Sequence, residues 1–144
     1  MFASPNAQEN PAALPRLLIA DDDPVVRSAL GMTLERQFEV VAVAGDSEGA
    51  ITRAQEHAPD AAIVDVDMPG GGGPSAVRGI LEVSPETAIL VLSGDESDSV
   101  VRELLQLGAI TYCRKGIEPA HLVEALQRSI IAHRHARQAA RSAA

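Results

Sequence analysis

Residues 61–73 read AAIVDVDMPGGGG: an apolar run ends on a carboxylate at Asp65 and passes through Asp67 into four consecutive glycines. The apolar residues of AAIVD are continuous rather than alternating, which is typical of a strand buried on both faces. Such a strand belongs to a parallel sheet covered by helices above and below. The stretch therefore predicts a parallel sheet with acidic residues at the carboxyl end of a strand.

The same alternation of apolar runs and helical periodicity extends through most of the chain. The other four strand-sized runs are RLLIA (16–20), EVVAVA (39–44), AILVLS (88–93) and AITYC (109–113). Segments of helical periodicity start at Pro24, after Ser47, at Pro74 and at Pro119, and a further segment includes Val100. Five successive βα units predict an α/β fold, a doubly wound five-stranded parallel sheet in the order 2-1-3-4-5 with five helices.

The pattern fills residues 16–131 and leaves a segment at each end. Residues 1–15 contain three prolines, with neither a basic cluster nor an apolar stretch, so we expect a flexible N-terminal tail rather than a secretory signal. The alanine-rich residues 132–144 are expected to continue the last helix as an extension or linker. No apolar run approaches the roughly 18 residues that a transmembrane helix needs, so we expect a cytoplasmic protein without a membrane segment.

The net charge of −8 and the absence of a basic stripe in the body of the chain disfavour direct binding to nucleic acid. No acid follows Glu124, whereas four arginines do, so residues 1–124 carry −12 and the C-terminal end carries +4. The single cysteine, Cys113, is expected to be a small buried hydrophobe. The histidines, none of which lies at a strand end, are expected to be surface residues: His57, His121, His133 and His135.

Polar side chains follow the strands that are expected to meet at one edge of the sheet. In this strand order a site lies at the carboxyl ends of strands one and three, where the order reverses. The residues at strand ends are Asp21, Asp22 and Asp23, then Asp65 and Asp67, then Ser93, and finally Lys115. Asp23 precedes Pro24 and is predicted to cap a helix rather than to bind a ligand. The remaining clustered carboxylates repel one another unless a cation lies among them, and Mg²⁺ suits such an oxygen-rich site.

These motifs together resemble the receiver domain of a bacterial two-component response regulator. The resemblance covers about residues 16–131 and rests on LLIADDDP, IVDVDMPGGGG, ILVLSGDE and GAITYCRK in that order. It implies a flavodoxin-like fold and a Mg²⁺-dependent transfer of a phosphoryl group to Asp65. The donor would be a sensor histidine kinase or a phosphotransfer protein. The chain would be a phosphoacceptor in signal transduction rather than an enzyme on external substrates.

The same resemblance implies the ligands of the metal. Asp22 would bind Mg²⁺ directly and Asp21 through a water molecule. Asp65 would contribute its carboxylate, and Asp67 would contribute its backbone carbonyl.

The resemblance also implies a switch. Ser93 would be the hydroxyl and Lys115 the ammonium that contact the phosphoryl group, and Tyr112 would be an aromatic rotamer switch, although Tyr112 could also be an ordinary core residue. Phosphorylation would then alter the surface of the fourth helix, fifth strand and fifth helix. Through that surface the protein would control an output domain following residue 144, or two copies would form a homodimer on phosphorylation.

Three features depart from the usual receiver pattern. Gly116 follows Lys115 where proline is frequent, so we expect a trans peptide and a more mobile loop. Gly94 replaces a common alanine, which would leave the phosphoryl site more open. The glycines of 70–73 lack the Gly-Lys-Ser/Thr of a phosphate-binding loop and are expected to provide flexibility.

Two other functions fit parts of the sequence. The Asp65-Val66-Asp67 motif also resembles the nucleophile motif of haloacid-dehalogenase-type phosphatases, but that family carries it on the first strand and has its acidic pair late in the chain. The second alternative is a receiver-fold docking module without physiological phosphorylation, because a complete pocket does not establish a cognate kinase.

Overall fold

The computed structural model describes residues 13–94 and 98–143, and most of the predicted N-terminal tail lies outside these residues. Five strands and five helices alternate: β1 Arg16–Ala20, α1 Pro24–Leu34, β2 Glu39–Ala44, α2 Ser47–His57, β3 Ala61–Asp65, α3 Gly72–Val83, β4 Ala88–Ser93, α4 Asp98–Leu107, β5 Thr111–Arg114 and α5 Pro119–Ala143. All neighbouring strands pair in parallel in the order β2-β1-β3-β4-β5, which confirms the predicted fold. Within the described residues, no helix is long and apolar enough to cross a membrane.

The sheet separates two hydrophobic cores, and alternate residues of each inner strand enter opposite ones. Leu18, Ala62 and Ile89 pack into the core formed with α2, α3 and α4. Leu17 and Ile63 pack on the other face, in the core formed with α1 and α5. Because each inner strand contributes side chains to both cores, its apolar residues are continuous rather than alternating.

The helix boundaries follow from caps that the sequence predicts only in part. Asp23 caps α1 as expected, and its side chain accepts a hydrogen bond from the Val25 N–H at 2.9 Å. The start of α2 was expected after Ser47, but the helix includes this residue because the Asp46 side chain caps it through the Gly49 N–H, at 2.6 Å.

The fifth strand begins two residues later than predicted, at Thr111. The N–H group of Ala109 donates to the Leu104 carbonyl at the end of α4, at 3.1 Å. Gly108 adopts a left-handed conformation at that helix end, with φ of 121°. The backbone of Ala109 therefore completes the helix end instead of joining the sheet.

The prediction that all four histidines lie at the surface is wrong for His133, which is buried. Its Nε2 lies 2.8 Å from the Pro85 carbonyl oxygen, at the turn that precedes β4. His133 follows Leu122, Leu126 and Ile130 at helical spacing, so it continues the stripe of α5 that faces the domain. The helical pattern thus passes residue 131 without a break.

Beyond His133, the C-terminal part of α5 forms ion pairs with loops at the amino-terminal edge of the sheet. Arg134 contacts Asp60 at 3.3 Å, and Arg137 and Arg141 contact Glu86 at 3.4 and 3.1 Å. These side chains are largely solvated, so each pair contributes at most about 1 kcal/mol. Together with the His133 contact, they explain why the arginine-rich end of the chain lies against the acidic body.

Two helical glycines provide a matched test of helix packing. A Cβ atom at Gly31 in α1 would contact nothing within 4 Å, whereas a Cβ atom at Gly79 in α3 would overlap with the side chain of Ile51 in α2. We expect Gly31→Ala to stabilise the protein by about 0.5–1 kcal/mol, because alanine restricts the unfolded chain and favours the helix.

The opposite result is expected for Gly79→Ala, because overpacking costs about 1–3 kcal/mol and exceeds the helical gain. Adding Ile51→Val removes Cδ1, the nearer of the two clashing atoms, but leaves Cγ1, and it should recover part of the loss. Urea denaturation of the two single variants and the double variant measures these differences. Equal effects of the two alanines would show that α2 and α3 are not packed as closely as described.

Candidate functional site

Three carboxylates converge at the carboxyl edge of the sheet. Ala20 pairs with Val64 in the register of β1 and β3, so the next residues, Asp21 and Asp65, lie side by side. Asp22 follows in the loop after β1. Each of the three side chains offers an oxygen, and these atoms all lie within 4.8 Å of one another. The arrangement brings together the cluster expected from the sequence.

Two of these carboxylates are buried and only half satisfied by hydrogen bonds. Asp21 and Asp65 are each 1% exposed, whereas Asp22 is exposed. One oxygen of each buried group accepts a backbone hydrogen bond: Asp21 Oδ1 from the Asp23 N–H at 2.9 Å and Asp65 Oδ1 from the Asp67 N–H at 3.2 Å. The other oxygens, Asp21 Oδ2 and Asp65 Oδ2, are buried without a hydrogen bond.

This donor set fits a hard divalent cation. Buried polar atoms without a hydrogen-bonding partner are rare in folded proteins, and they require an explanation when they occur. Two such carboxylate oxygens beside a third, solvent-exposed carboxylate form an oxygen-rich site that is open to water. Mg²⁺ prefers this combination of a few carboxylates with retained water ligands.

Lys115 forms ion pairs with the two buried carboxylates of the cluster. Its Nζ atom lies 3.0 Å from Asp65 Oδ1 and 3.8 Å from Asp21 Oδ2. The β5–α5 loop places it there, because the Lys115 N–H donates to the carbonyl oxygen of Ser93 at the end of β4, at 2.9 Å. One ammonium beside three carboxylates leaves a local excess of negative charge that a divalent cation would neutralise.

Burial and charge oppose each other at Asp65 and Lys115. Burial raises the pKa of Asp65, with a smaller contribution from the charge of Asp21, and this outweighs the lowering by Lys115 and the Asp67 N–H. Burial alone would lower the pKa of Lys115, but its hydrogen bond to Asp65 and the charges of the three carboxylates raise it overall. Lys115 is therefore firmly protonated beside a carboxylate that is costly to ionise.

The remaining residues predicted from the sequence lie around this cluster. Ser93 is buried at the end of β4, one position beyond Leu92, which pairs with Asp65. Tyr112 is half-buried in β5 and pairs with Val91. The Asp67 side chain is exposed and does not belong to the carboxylate cluster.

The glycine-rich loop after Asp67 has a defined conformation that the sequence did not predict. Gly70, Gly71 and Gly72 have φ angles of 87°, 103° and 68°, in the region that favours glycine. Ser47 anchors this loop: its hydroxyl donates to the Gly72 carbonyl at 2.7 Å, and its N–H donates to the Pro69 carbonyl at 3.1 Å. The glycines therefore have a conformational role in addition to the flexibility expected of them.

Gly116 explains why proline is not accommodated after Lys115 in this backbone. The φ of Gly116 is 91°, whereas the proline ring fixes φ near −65°. No described peptide bond is cis, as expected for the bond between Lys115 and Gly116.

Comparisons with known proteins agree with this geometry. The response regulator receiver domain family matches residues 17–127. The chain is 37% identical over 115 residues to the oxygen regulatory protein NreC of Staphylococcus epidermidis and 34% identical over 114 residues to the response regulator GacA of Pseudomonas viridiflava. Each match covers 78% of this chain and 53% of the relative, so the chain spans about half the length of these curated relatives.

A solved structure shows the same fold over most of its length. The signal receiver domain of the putative response regulator NarL from Mycobacterium tuberculosis superposes with a TM-score of 0.78 at 26% sequence identity. The superposition covers 82% of this chain and 97% of that one.

The raised pKa of Asp65 predicts a specific dependence of stability on pH. A carboxyl group whose pKa is higher in the folded state destabilises the fold once it ionises, and this cost is complete above the folded-state pKa. In buffer containing EDTA at neutral pH, we expect Asp65→Asn to be more stable than the parent by about 1 kcal/mol. The difference should shrink as the pH falls toward the ordinary aspartate value of about 3.9.

Chemical denaturation at several pH values measures this effect. The control is Glu82→Gln, which removes an exposed carboxylate on α3 and should change the unfolding free energy by less than about 0.5 kcal/mol. A parent more stable than Asp65→Asn at neutral pH would show that pairing with Lys115 outweighs the cost of burial.

Proposed function

Because the chain belongs to the response regulator receiver domain family, we propose that it accepts a phosphoryl group on Asp65 from a sensor histidine kinase or a phosphotransfer protein. The observation that supports this proposal is the pattern of contacts around the Asp65 carboxylate. One of its oxygens is held by Lys115 at 3.0 Å, and the other is buried without a hydrogen bond. An oxygen of this carboxylate also lies within 4.8 Å of one from each of Asp21 and Asp22.

The residues that would hold Mg²⁺ are Asp21, Asp22 and Asp65, together with the backbone carbonyl of Asp67. Bound there, Mg²⁺ would offset the repulsion among the carboxylates and neutralise charge on the incoming phosphoryl group. The two buried oxygens without hydrogen bonds support this assignment.

In the proposed transfer, a carboxylate oxygen of Asp65 attacks phosphorus and forms an acyl phosphate. The bond between phosphorus and the donor imidazole nitrogen breaks, and the electron pair leaves with the imidazole. Lys115 remains protonated and offsets the charge that accumulates beside Asp65. Ser93 donates its hydroxyl hydrogen to a phosphoryl oxygen.

We further propose that Ser93 and Tyr112 relay this event to the surface of α4, β5 and α5. A phosphoryl group that draws Ser93 toward Asp65 leaves space into which Tyr112 can turn. Such a change shifts an equilibrium only if the group contacts the two states differently, and these contacts would be the Ser93 hydroxyl and the Lys115 charge. Through the altered surface the protein would control an output domain or bind a second copy of itself.

The nucleophile assignment predicts that the protein takes up one phosphoryl group from acetyl phosphate only when Mg²⁺ is present. Intact mass spectrometry after incubation with the donor measures the uptake. Asp65→Asn is expected to abolish the mass increase, and Glu82→Gln, which also converts a carboxyl to an amide, serves as the matched control. Full uptake by Asp65→Asn would refute the assignment, and no uptake by the parent would favour a docking module.

The switch predicts a change in amide hydrogen exchange at a distance from the metal. Adding beryllofluoride with Mg²⁺, which mimics the phosphoryl group, should alter exchange across α4, β5 and the first turns of α5. Ser93→Ala should suppress this change while Asp65 still accepts phosphate. Exchange changes confined to the loops around Asp22 and Asp65, equal in parent and variant, would contradict the relay.

A further inference from the structure

The guanidinium of Arg27 contacts the backbone beside the carboxylate cluster. Arg27 lies on α1 and is half-buried, and its Nη1 donates to the backbone carbonyl oxygen of Asp21 at 2.7 Å. Within residues 13–94 and 98–143 it forms no ion pair with a carboxylate. The side-chain hydrogen bond of Arg27 is thus made to the main chain directly before Asp22.

The bonded carbonyl belongs to the peptide group that joins Asp21 to Asp22. Because a peptide group is planar, fixing its oxygen also fixes the direction in which the chain continues to the Asp22 Cα. The preceding peptide is held as well, since the Asp21 N–H donates to the Ala44 carbonyl at 3.0 Å. Both backbone groups of Asp21 are therefore constrained.

The exposed carboxylate of Asp22 depends on this backbone for its position. In the part of the chain that the structure describes, no hydrogen bond or ion pair holds the Asp22 side chain. Its proximity to Asp21 and Asp65 therefore depends on the position of its backbone and on its own rotamer. A rotation of the peptide before Asp22 would shift the point from which this side chain extends.

The loop after β2 leaves room for the guanidinium. A Cβ atom on Gly45 would lie 3.0 Å from Arg27 Nη1 and 4.0 Å from the Asp21 carbonyl oxygen. A side chain at position 45 would therefore force the guanidinium to shift by a few tenths of an ångström and would strain its hydrogen bond. The absence of a side chain at Gly45 is a second, independent feature of the same contact.

We propose that Arg27 is a positioning residue for the cation site: it holds the Asp21–Asp22 peptide so that the Asp22 carboxylate meets those of Asp21 and Asp65. This inference rests on the proposed Mg²⁺ site. In this role the guanidinium of Arg27 does not contact the metal or the phosphoryl group.

Positioning and simple electrostatics predict opposite effects of removing Arg27. A nearby positive charge disfavours a bound cation, so charge alone predicts tighter Mg²⁺ binding in Arg27→Ala. Loss of the hydrogen bond releases the peptide before Asp22 and predicts weaker binding. Loss of a group that orients a metal ligand commonly weakens affinity by about 10–100-fold.

Isothermal titration calorimetry with Mg²⁺ on the full chain distinguishes these effects. We expect Arg27→Ala to weaken affinity by roughly tenfold and Arg27→Lys, which keeps the charge and one donor, to lose less. Gly45→Ala keeps both the charge and the donors but forces the guanidinium to shift by a few tenths of an ångström, and it should weaken binding by less than Arg27→Ala does. Arg36→Ala removes an exposed arginine beyond the far end of α1 and should leave the affinity within about twofold of the parent.

The outcomes separate this inference from the proposed function. If the parent binds Mg²⁺ and both Arg27→Ala and Gly45→Ala bind it equally or more tightly, the positioning role is overturned and the metal site stands. If the parent does not bind Mg²⁺, the proposed site itself fails. Arg27→Lys and Gly45→Ala preserve the test if Arg27→Ala does not fold, and thermal melting without metal identifies that case.

Discussion

The repulsion between two buried carboxylates at the edge of the sheet is the constraint on which the rest of the site depends. Asp21 and Asp65 are almost completely removed from water, yet each keeps one oxygen without a hydrogen bond. Among the residues that the structure describes, only Lys115 forms ion pairs with them. Such an arrangement costs stability in the isolated protein, and it persists because the surrounding structure is stable enough to hold it.

The doubly wound sheet provides that stability. Its hydrophobic cores lie away from the carboxyl edge, where the clustered side chains are. The inner strands supply two continuous cores, one on each face, while their carboxyl ends carry the polar residues. The stabilising contacts of α5 lie at the other edge, where His133 meets Pro85 and Arg134 meets Asp60. The loops at the site can therefore be built from glycines and exposed acids without weakening the core.

The sequence predicts the fold, and it predicts that Asp21, Asp22, Asp65 and Lys115 meet at one edge, because both depend on local patterns. Buried parallel strands have a recognisable composition, and the residue after each strand reaches one edge. The contacts that hold the site could not be predicted in this way. Ser47 bonds to the Gly72 carbonyl across 25 positions, and Arg27 bonds to a backbone carbonyl. Main-chain acceptors are present at every position, so a sequence gives no signal for which one a side chain will choose. His133 was misplaced because the helical extension was expected to be a linker, whereas its first turn packs on the domain beside Pro85.

The position of Lys115 determines where amine chemistry can alter this protein. It is the only lysine of the chain, so acylation, carbamylation or glycation of a side-chain amine can occur only within the site. Its raised pKa keeps the amine protonated and a poor nucleophile at neutral pH. The carboxylates that need its charge thus also protect it from covalent loss. Neutralising this one amine would leave three carboxylates facing one another and would change the site without altering any other side chain.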